Sequence, residues 1–290
     1  MNYLPLNITS ETNKLKTVIL GTGTDQGKPY EINPVAKMHK QQGTYPTPED
    51  IQEEIAGAKK TLEALGVKVI QPTNLSAKKQ IFTRDIGFVI DNKFVIANMK
   101  EPLRQGEIEG IAFVLEQMNP DDVIRIPEGA TIEGGDVLVH GEHVFVGISK
   151  RTNQEGFDYL KAQFPDKKFH ALELVVSDDP AINILHLDCA FQPVGSGFAI
   201  FHEEGFVNKP EIIFEVFGEE NLILVSQDEK NQMFPNIFSV GPNDVLIERD
   251  FSRLIQELEK RGITCHPVKY SETSKLSGLL RCSTLPLIRD

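Results

Sequence analysis

Cysteine is scarce. The 290 residues hold three, Cys189, Cys265 and Cys282, an odd number with no Cys-x-x-Cys pair, which argues against a disulfide framework and against a cysteine zinc cluster. Long apolar runs are missing as well. No stretch approaches the roughly 18 residues of a spanning helix, and the polar opening MNYLPLNITSETNK has neither the basic nor the apolar region of a secretory signal, so a cytoplasmic protein is expected. Positive charge is in deficit: 30 lysines and arginines stand against 42 aspartates and glutamates, a net charge of -12. That balance disfavours nucleic acids and anionic membranes as partners and mildly favours small cationic ligands. No glycine-rich phosphate loop follows a strand, and GTGTDQG has no helix signal close behind it. His186-x-x-Cys189 and Cys265-His266 are metal-ligand types without a complete four-ligand spacing. No metal or cofactor is therefore expected. The 40% hydrophobic content is enough for a sizeable core, which leaves each cysteine as a candidate free thiol.

The chain repeats itself at about fifty residues. FTRDIGFVIDNKFVIANM holds two apolar runs joined at Asp91-Asn92, EGGDVLVHGEHVFVGIS does the same around Gly141, and HLDCAFQPVGSGFAIFHEEG turns at Gly195 to Gly197. Asp85, Asp136 and Asp188 occupy the same place in these units, 51 and 52 residues apart. NIFSVGPNDVLIERD reads as a fourth member, and a fifth is split between LKTVILGTGTD near the start and LRCSTLPLIRD at the end. Between the hairpins lie segments of helical period. Thr47-Pro48-Glu49 opens one that carries Ile51, Ile55, Ala58, Leu62 and Leu65 on one face and stops at Gly66. GEIEGIAFVLEQM, TNQEGFDYLKAQF and FSRLIQELEKRG read similarly.

The pattern describes an α/β protein: a ring of about five strand-rich units of ββαβ type, each with a helix outside, closed by pairing the chain ends, in one domain over residues 1–290. An ordinary mixed sheet with coincidental spacing is the alternative. In a ring, Asp85, Glu133, His186 and Cys282 would meet at the axis despite their separation in sequence. Residues 23–46, with little periodicity and glycines at Gly23, Gly27 and Gly43, read as a loop that serves as an active-site lid.

Several of these residues are suited to chemistry. Cys282 follows Arg281, and a neighbouring cation would raise its thiolate fraction; a buried structural thiol is the plainer reading, which is kept for Cys189 and Cys265. His186-Leu187-Asp188, read as strand, puts an imidazole and a carboxylate on one face, an acid–base arrangement unless the histidine is simply buried in a core. Glu133-Gly134-Gly135-Asp136 sets two carboxylates beside two flexible glycines, as either a ligand-approach turn or a solvated one. Asp85 begins an apolar strand, where a charge is either used or held in a salt bridge.

Taken together, FTRD at 82–85, EGGD at 133–136, SKRTN at 149–153, HLD at 186–188 and the terminal RCSTLP resemble the guanidine-modifying enzyme superfamily with the pentein fold, a five-bladed pseudo-symmetric α/β-propeller. The resemblance spans about 200 residues. It implies a hydrolase in which Cys282 attacks the guanidinium carbon of arginine or a close relative, through a covalent amidino-cysteine. His186 would move protons, with Glu133 as a third carboxylate beside it. Asp85 and Asp188 would hold the guanidinium nitrogens by paired charge-assisted hydrogen bonds. Arg151, and less directly Arg104, match arginines that hold a substrate carboxylate; surface salt bridges are the alternative for both. Arginine deiminases, arginine dihydrolases, dimethylarginine dimethylaminohydrolases and amidinotransferases share this plan.

Three features narrow the match. Ser277-Gly278-Leu279-Leu280 replaces a glycine-rich approach to the cysteine, predicting a narrow pocket that admits water in preference to an amine. The chain is too short for the helical insertion of arginine deiminases. Asp188 is acidic where dimethylaminohydrolases commonly are not. The expectation is a compact deiminase- or dihydrolase-like enzyme, with an amidinotransferase or a dimethylarginine dimethylaminohydrolase as alternatives; a homo-oligomer is compatible with the sequence.

Overall fold

Apolar runs fold back on themselves where a residue can take a left-handed turn. In the computed structural model, which describes residues 3–29 and 31–290, Gly87–Ile90 pairs antiparallel with Lys93–Ile96 across Asp91, whose φ is 51°. Val137–His140 pairs with His143–Ile148 across Gly141, Phe191–Val194 with Phe198–Phe201 across Gly195 to Gly197, and Phe238–Gly241 with Asp244–Glu248. A fifth antiparallel pair joins the two ends of the chain, Leu15–Leu20 with Thr284–Arg289. Each pair gains a parallel third strand: Lys68–Ile70, Val123–Arg125, Lys168–Glu173, Leu222–Leu224 and Thr264–Val268. The result is five three-stranded sheets of one design, which fit the expected repeat.

A parallel strand needs a crossover, and here that crossover is helical. Pro48–Ala64, Gln154–Gln163, Glu211–Phe217 and Ser252–Lys260 each lie between the second and third strands of a unit. Pro48–Ala64 starts at a capping box, with Thr47 and Asp50 each accepting from the other's backbone N–H, and it buries Ile51, Ile55, Ala58 and Leu62. Gly66 follows with φ 81°. The first strands of the first, third and fourth hairpins are buried along their whole length, as strands covered on both faces must be, with Gln192 and Ser239 the polar residues among them. Phe145, Phe191 and Phe217 pack edge-to-face or tilted at 5.3–6.3 Å in the largest cluster, which reaches from the first sheet through Leu279 and Leu280. Among the described residues no helix is long and apolar enough to cross a membrane.

Two expectations are corrected. Residues 23–46 are not all loop, because Pro34–Gln42 is a helix: Asn33 caps it by accepting from Ala36 N, Pro34 fills the first turn, and Gly43 closes it at φ 70°. GEIEGIAFVLEQM yields only a 3-10 turn over Glu107–Ile111 and a short helix over Ala112–Leu115. Tertiary contacts hold that turn tight. Glu107 is buried on Arg104, and Gly110 packs so closely on Gln80 that an added Cβ would sit 2.2 Å from its amide nitrogen.

Candidate active site

Every hairpin is entered through a tight turn, and the turns bring the polar residues together. Thr83–Ile86, Gly134–Asp136, Leu187–Cys189 and Phe234–Asn236 are 3-10 turns leading into the first strand of a pair, and the segment before Thr284 turns likewise. They place Asp85, Asp136, Asp188, Asn236 and Cys282 at corresponding positions. Cys282 Sγ lies 3.6 Å from Asp188 Oδ2 and 3.2 Å from Asn236 Nδ2. His186 Nε2 is 2.9 Å from Glu133 Oε2, and its Nδ1 is 3.7 Å from Asp85 Oδ1. None of these side chains is more than 2% exposed. The Gly134-Gly135 turn is what permits the approach: a Cβ on Gly135 would lie 2.7 Å from the His186 ring and 2.9 Å from Asp85 Oδ1.

His186 and Asp188 stand in a turn rather than on a strand. Asp136 accepts the Leu187 N–H at 2.9 Å, and Cys189 N closes back on His186 O at 3.0 Å, so the two side chains diverge. One faces Glu133, the other Cys282.

Charge in the pocket is closely matched. Burial alone would lower the His186 pKa, but Asp85, Asp136 and Glu133 outweigh it and hold the imidazole up to about 9, an imidazolium at neutral pH. Burial opposes ionisation of Glu133, yet His186, Arg151 and Arg104 bring it down to about 2. Asp136 goes the other way, pushed by burial up to about 7. Cys282 is held as a thiol: burial, Asp188, Cys189 and Asp85 all push its pKa well above 9, and only the Asn236 amide works against them.

Arg281 does not act on the Cys282 thiol as its place in the sequence implied. Its guanidinium is turned to Asp188 Oδ2 at 2.8 Å, Glu11 Oε1 at 3.0 Å and Val137 O at 2.8 Å, so it offsets the carboxylates behind the thiol. Leu279 and Leu280 are likewise corrected: both are fully buried in the main core, so they do not narrow the pocket.

Arg151 and Arg104 flank the site. Arg151 reaches Glu133 Oε2 at 3.4 Å and the carbonyl of Ile32 at 3.2 Å, tying the 23–46 segment over the centre. Arg104 is committed to Asp85 and, through two nitrogens, to Glu107. A cavity of about 780 Å³ opens at this side, lined by Ile32, Asn33, Lys37, Lys100, Lys150 and Arg151 among others. Asn33 also donates to Leu276 O at 3.2 Å, joining that segment to the turn that carries Cys282.

Cys189 is buried beside Asp188, with its sulfur 3.6 Å from Oδ1, whereas Cys265 is half-buried on an outer strand. Among the described residues, Asp85, Glu133 and His186 form the one group whose ligand-type atoms all lie within 4.8 Å of one another. Two of the three are already charge-paired, Asp85 with Arg104 and Glu133 with Arg151. Asn236 and Glu11 were not picked out from sequence as site residues, and Asp136 only as part of a possible ligand-approach turn. The repeat spacing held the signal for Asn236, which falls 48 residues after Asp188.

Five like sheets, with polar turns meeting at one buried centre, fit the guanidine-modifying, or pentein, superfamily, and similarity to known proteins places the chain there. The family described as N,N dimethylarginine dimethylhydrolase, eukaryotic, matches residues 33–289, and the chain belongs to it. YkgA of Bacillus subtilis, an uncharacterised protein, is 32% identical over 221 residues, covering 76% of this chain and 74% of its own. An arginine deiminase of Listeria monocytogenes is 28% identical over 251 residues, covering 72% of this chain, which thus spans only 61% of the deiminase. Two solved structures share the fold. SxtG, an amidinotransferase from Microseira wollei, superposes with a TM-score of 0.81 at 19% identity over 99% of this chain and 98% of its own. The N-terminal domain of ArgZ, a cyanobacterial arginine dihydrolase, gives 0.83 at 20% identity over 96% and 98%.

Proposed function

We propose that this protein is a cysteine-dependent hydrolase acting on the guanidinium carbon of arginine or a close relative. The observation that carries the reading is the meeting of a thiol, an imidazolium and three carboxylates in one buried centre, on a fold whose relatives modify arginine. A planar cation would lie between Asp85 and Asp188, and its charge would offset the carboxylates that hold Cys282 protonated. With the cation bound, Cys282 gives its proton to solvent, because His186 is already protonated, and the thiolate attacks the guanidinium carbon. The His186 imidazolium then gives its proton to the departing amine as the carbon–nitrogen bond breaks, leaving an amidino-thioether. The neutral imidazole takes a proton from water, which adds to the same carbon; cleavage of the carbon–sulfur bond releases a urea-type product and restores the thiol. Glu133 orients His186 and supports its charge.

Arg151 is the residue proposed to hold the substrate carboxylate, since it faces the open cavity. Arg104, set between Asp85 and Glu107, is given the part of fixing Asp85 and, when substrate enters, of a second cation near that carboxylate. The same reading takes residues 1–290 as a single cytoplasmic catalytic domain, a five-bladed propeller, with residues 23–46 as its lid. Support for the cysteine's part comes from ArgZ, which has been captured with substrate as a cysteine-to-serine variant and covalently bonded to a reaction intermediate in another variant.

A second reading, hydrolysis of dimethylarginine, is favoured by the family match itself. Guanidino-labelled arginine and asymmetric dimethylarginine, each with and without glycine, separate the outcomes. Ammonia with citrulline or ornithine supports the first reading, and dimethylamine with citrulline the second. Label found in a new guanidino compound only when glycine is supplied would replace both with amidino transfer.

A further inference from the structure

We infer that Asn236 is the positioning residue that orients the Cys282 nucleophile and supplies the hydrogen bond its thiolate needs. Asn236 ends the turn before the fourth hairpin, as Asp136 ends that before the second, and the turns before the first and third carry Asp85 and Asp188. A fourth carboxylate there would face the sulfur; an amide stands in its stead. Its orientation is fixed by the backbone around it. Oδ1 accepts two N–H groups, from Leu279 at 3.0 Å and from Cys282 at 3.1 Å, so the oxygen must face the backbone and the NH₂ must face the sulfur. That NH₂ lies 3.2 Å from Cys282 Sγ and 3.3 Å from the carbonyl of Asp188. Arg281 N closes the staple by donating to Asn236 O at 3.1 Å. One fully buried side chain thus holds both ends of the 279–282 turn and aims a donor at the reacting atom.

The other groups facing the sulfur cannot do this work. Asp188, Cys189 and Asp85 each oppose negative charge on it, Arg281 is spent on Asp188 and Glu11, and the Tyr270 hydroxyl makes no hydrogen bond to the sulfur. A hydrogen bond to a charged group is worth enough to change the thiolate population about tenfold or more. The inference rests on Cys282 as nucleophile, but its test does not depend on the substrate.

The test is the rate at which iodoacetamide modifies Cys282, followed by mass spectrometry from pH 7 to 10 in the full-length protein, for wild type, Asn236→Ala and Asn236→Asp. The aspartate variant keeps both backbone contacts, removes the amide donor and sets a carboxylate against the sulfur; it protects the experiment if the alanine variant fails to fold, since modification as fast as wild type there excludes any hold of residue 236 on the thiolate. Folded variants should be modified about tenfold more slowly than wild type at each pH, and turnover should lose kcat with KM little changed. A purely structural role gives the opposite sign, because a loosened turn exposes the sulfur. Modification as fast as wild type, or faster, in a variant with an unaltered melting temperature overturns the inference. If wild type instead turns over no guanidino substrate while the variants are modified more slowly, the proposed function falls and the role of Asn236 stands.

Discussion

Glu133→Gln tests the electrostatics of the centre most directly. Glu133 contacts His186 Nε2 at 2.9 Å and is one of three carboxylates that hold the imidazole up to about 9. Glutamine keeps the shape but removes the charge, and its single oxygen can accept from the ring or from Lys100 N, which Glu133 serves with separate oxygens. A hydrogen bond to a charged partner is worth about 1.5–3 kcal/mol beyond solvation, and about 1.4 kcal/mol moves a pKa by one unit, so the imidazole should fall by about one to two pH units. Asp85 and Asp136 remain and keep it above an ordinary histidine. The assay is a side-chain nitrogen–proton NMR titration, with His186→Asn to assign the signal among the seven histidines. The same elevation has a linkage consequence of definite sign. A base raised in the folded state contributes its full stability below 6.5 and loses it as pH rises through about 9. For His186 that is about 3 kcal/mol. Asp136, an acid raised to about 7, exacts its cost between 3.8 and 7, and Lys79 and Arg84, lowered to about 8 and 9, contribute only above that, so urea unfolding between pH 7 and 8 reads mainly His186. An imidazole that titrates near 6.5 in wild type, or one that Glu133→Gln leaves in place, refutes the reasoning.

Cys282→Ala should reduce turnover to background with the fold intact, while Cys189→Ala and Cys265→Ala retain most activity; parallel assays of the three purified variants decide it, and a fully active Cys282→Ala would remove the nucleophile. Gly135→Ala should cost about 100-fold or more in kcat, because a methyl at 2.7 Å from the His186 ring displaces it by a sizeable fraction of an ångström. Near-normal kcat in that variant would show that His186 need not sit where the turn now places it. His186→Gly should slow breakdown of the covalent intermediate and let an amidino adduct accumulate on Cys282 in mass spectra, whereas an adduct on another residue would move the site.

Much of this architecture was legible because it is written in short-range signals. Asp91-Asn92, Gly141 and Gly195 to Gly197 mark reversals that local backbone geometry decides, and each lies where a hairpin turns. Thr47-Pro48 and Gly66 bound a helix for the same reason. Asn33-Pro34 and Gly43 carry an equally local signal for Pro34–Gln42, and it went unread because the segment lacks an apolar face: Ala36 is its only buried residue. What sequence order could not give is the direction of a side chain that tertiary contacts decide. Arg281 adjoins Cys282 in the chain, yet Glu11, 270 positions away, and Asp188 draw its guanidinium elsewhere. The helical period in GEIEGIAFVLEQM lost to the burial of Glu107 on Arg104 and of Gly110 on Gln80.

The repeat also explains how one fold builds an asymmetric centre. Five corresponding turns bring five side chains to the middle, and each carboxylate among them is treated differently. Asp136 is spent on the backbone of Leu187 and on Ser149, so it shapes the turn that carries His186. Asp85 gives one oxygen to Arg104 and leaves Oδ1 without a hydrogen-bond partner. Asp188 gives Oδ2 to Arg281, while the side-chain contacts of Oδ1 are the two thiols. Asp85 Oδ1 is thus left without a partner and Asp188 Oδ1 has only weak thiol donors, and both are buried. An unsatisfied buried carboxylate oxygen is costly, and a planar cation with several N–H groups is the ligand that satisfies both at once. On the proposed reading, its arrival would offset the negative charge that keeps Cys282 protonated, at the moment when a thiolate becomes useful. In an empty pocket the thiol stays neutral, so the proposed chemistry would be tied to occupancy by the same charges that would select the substrate.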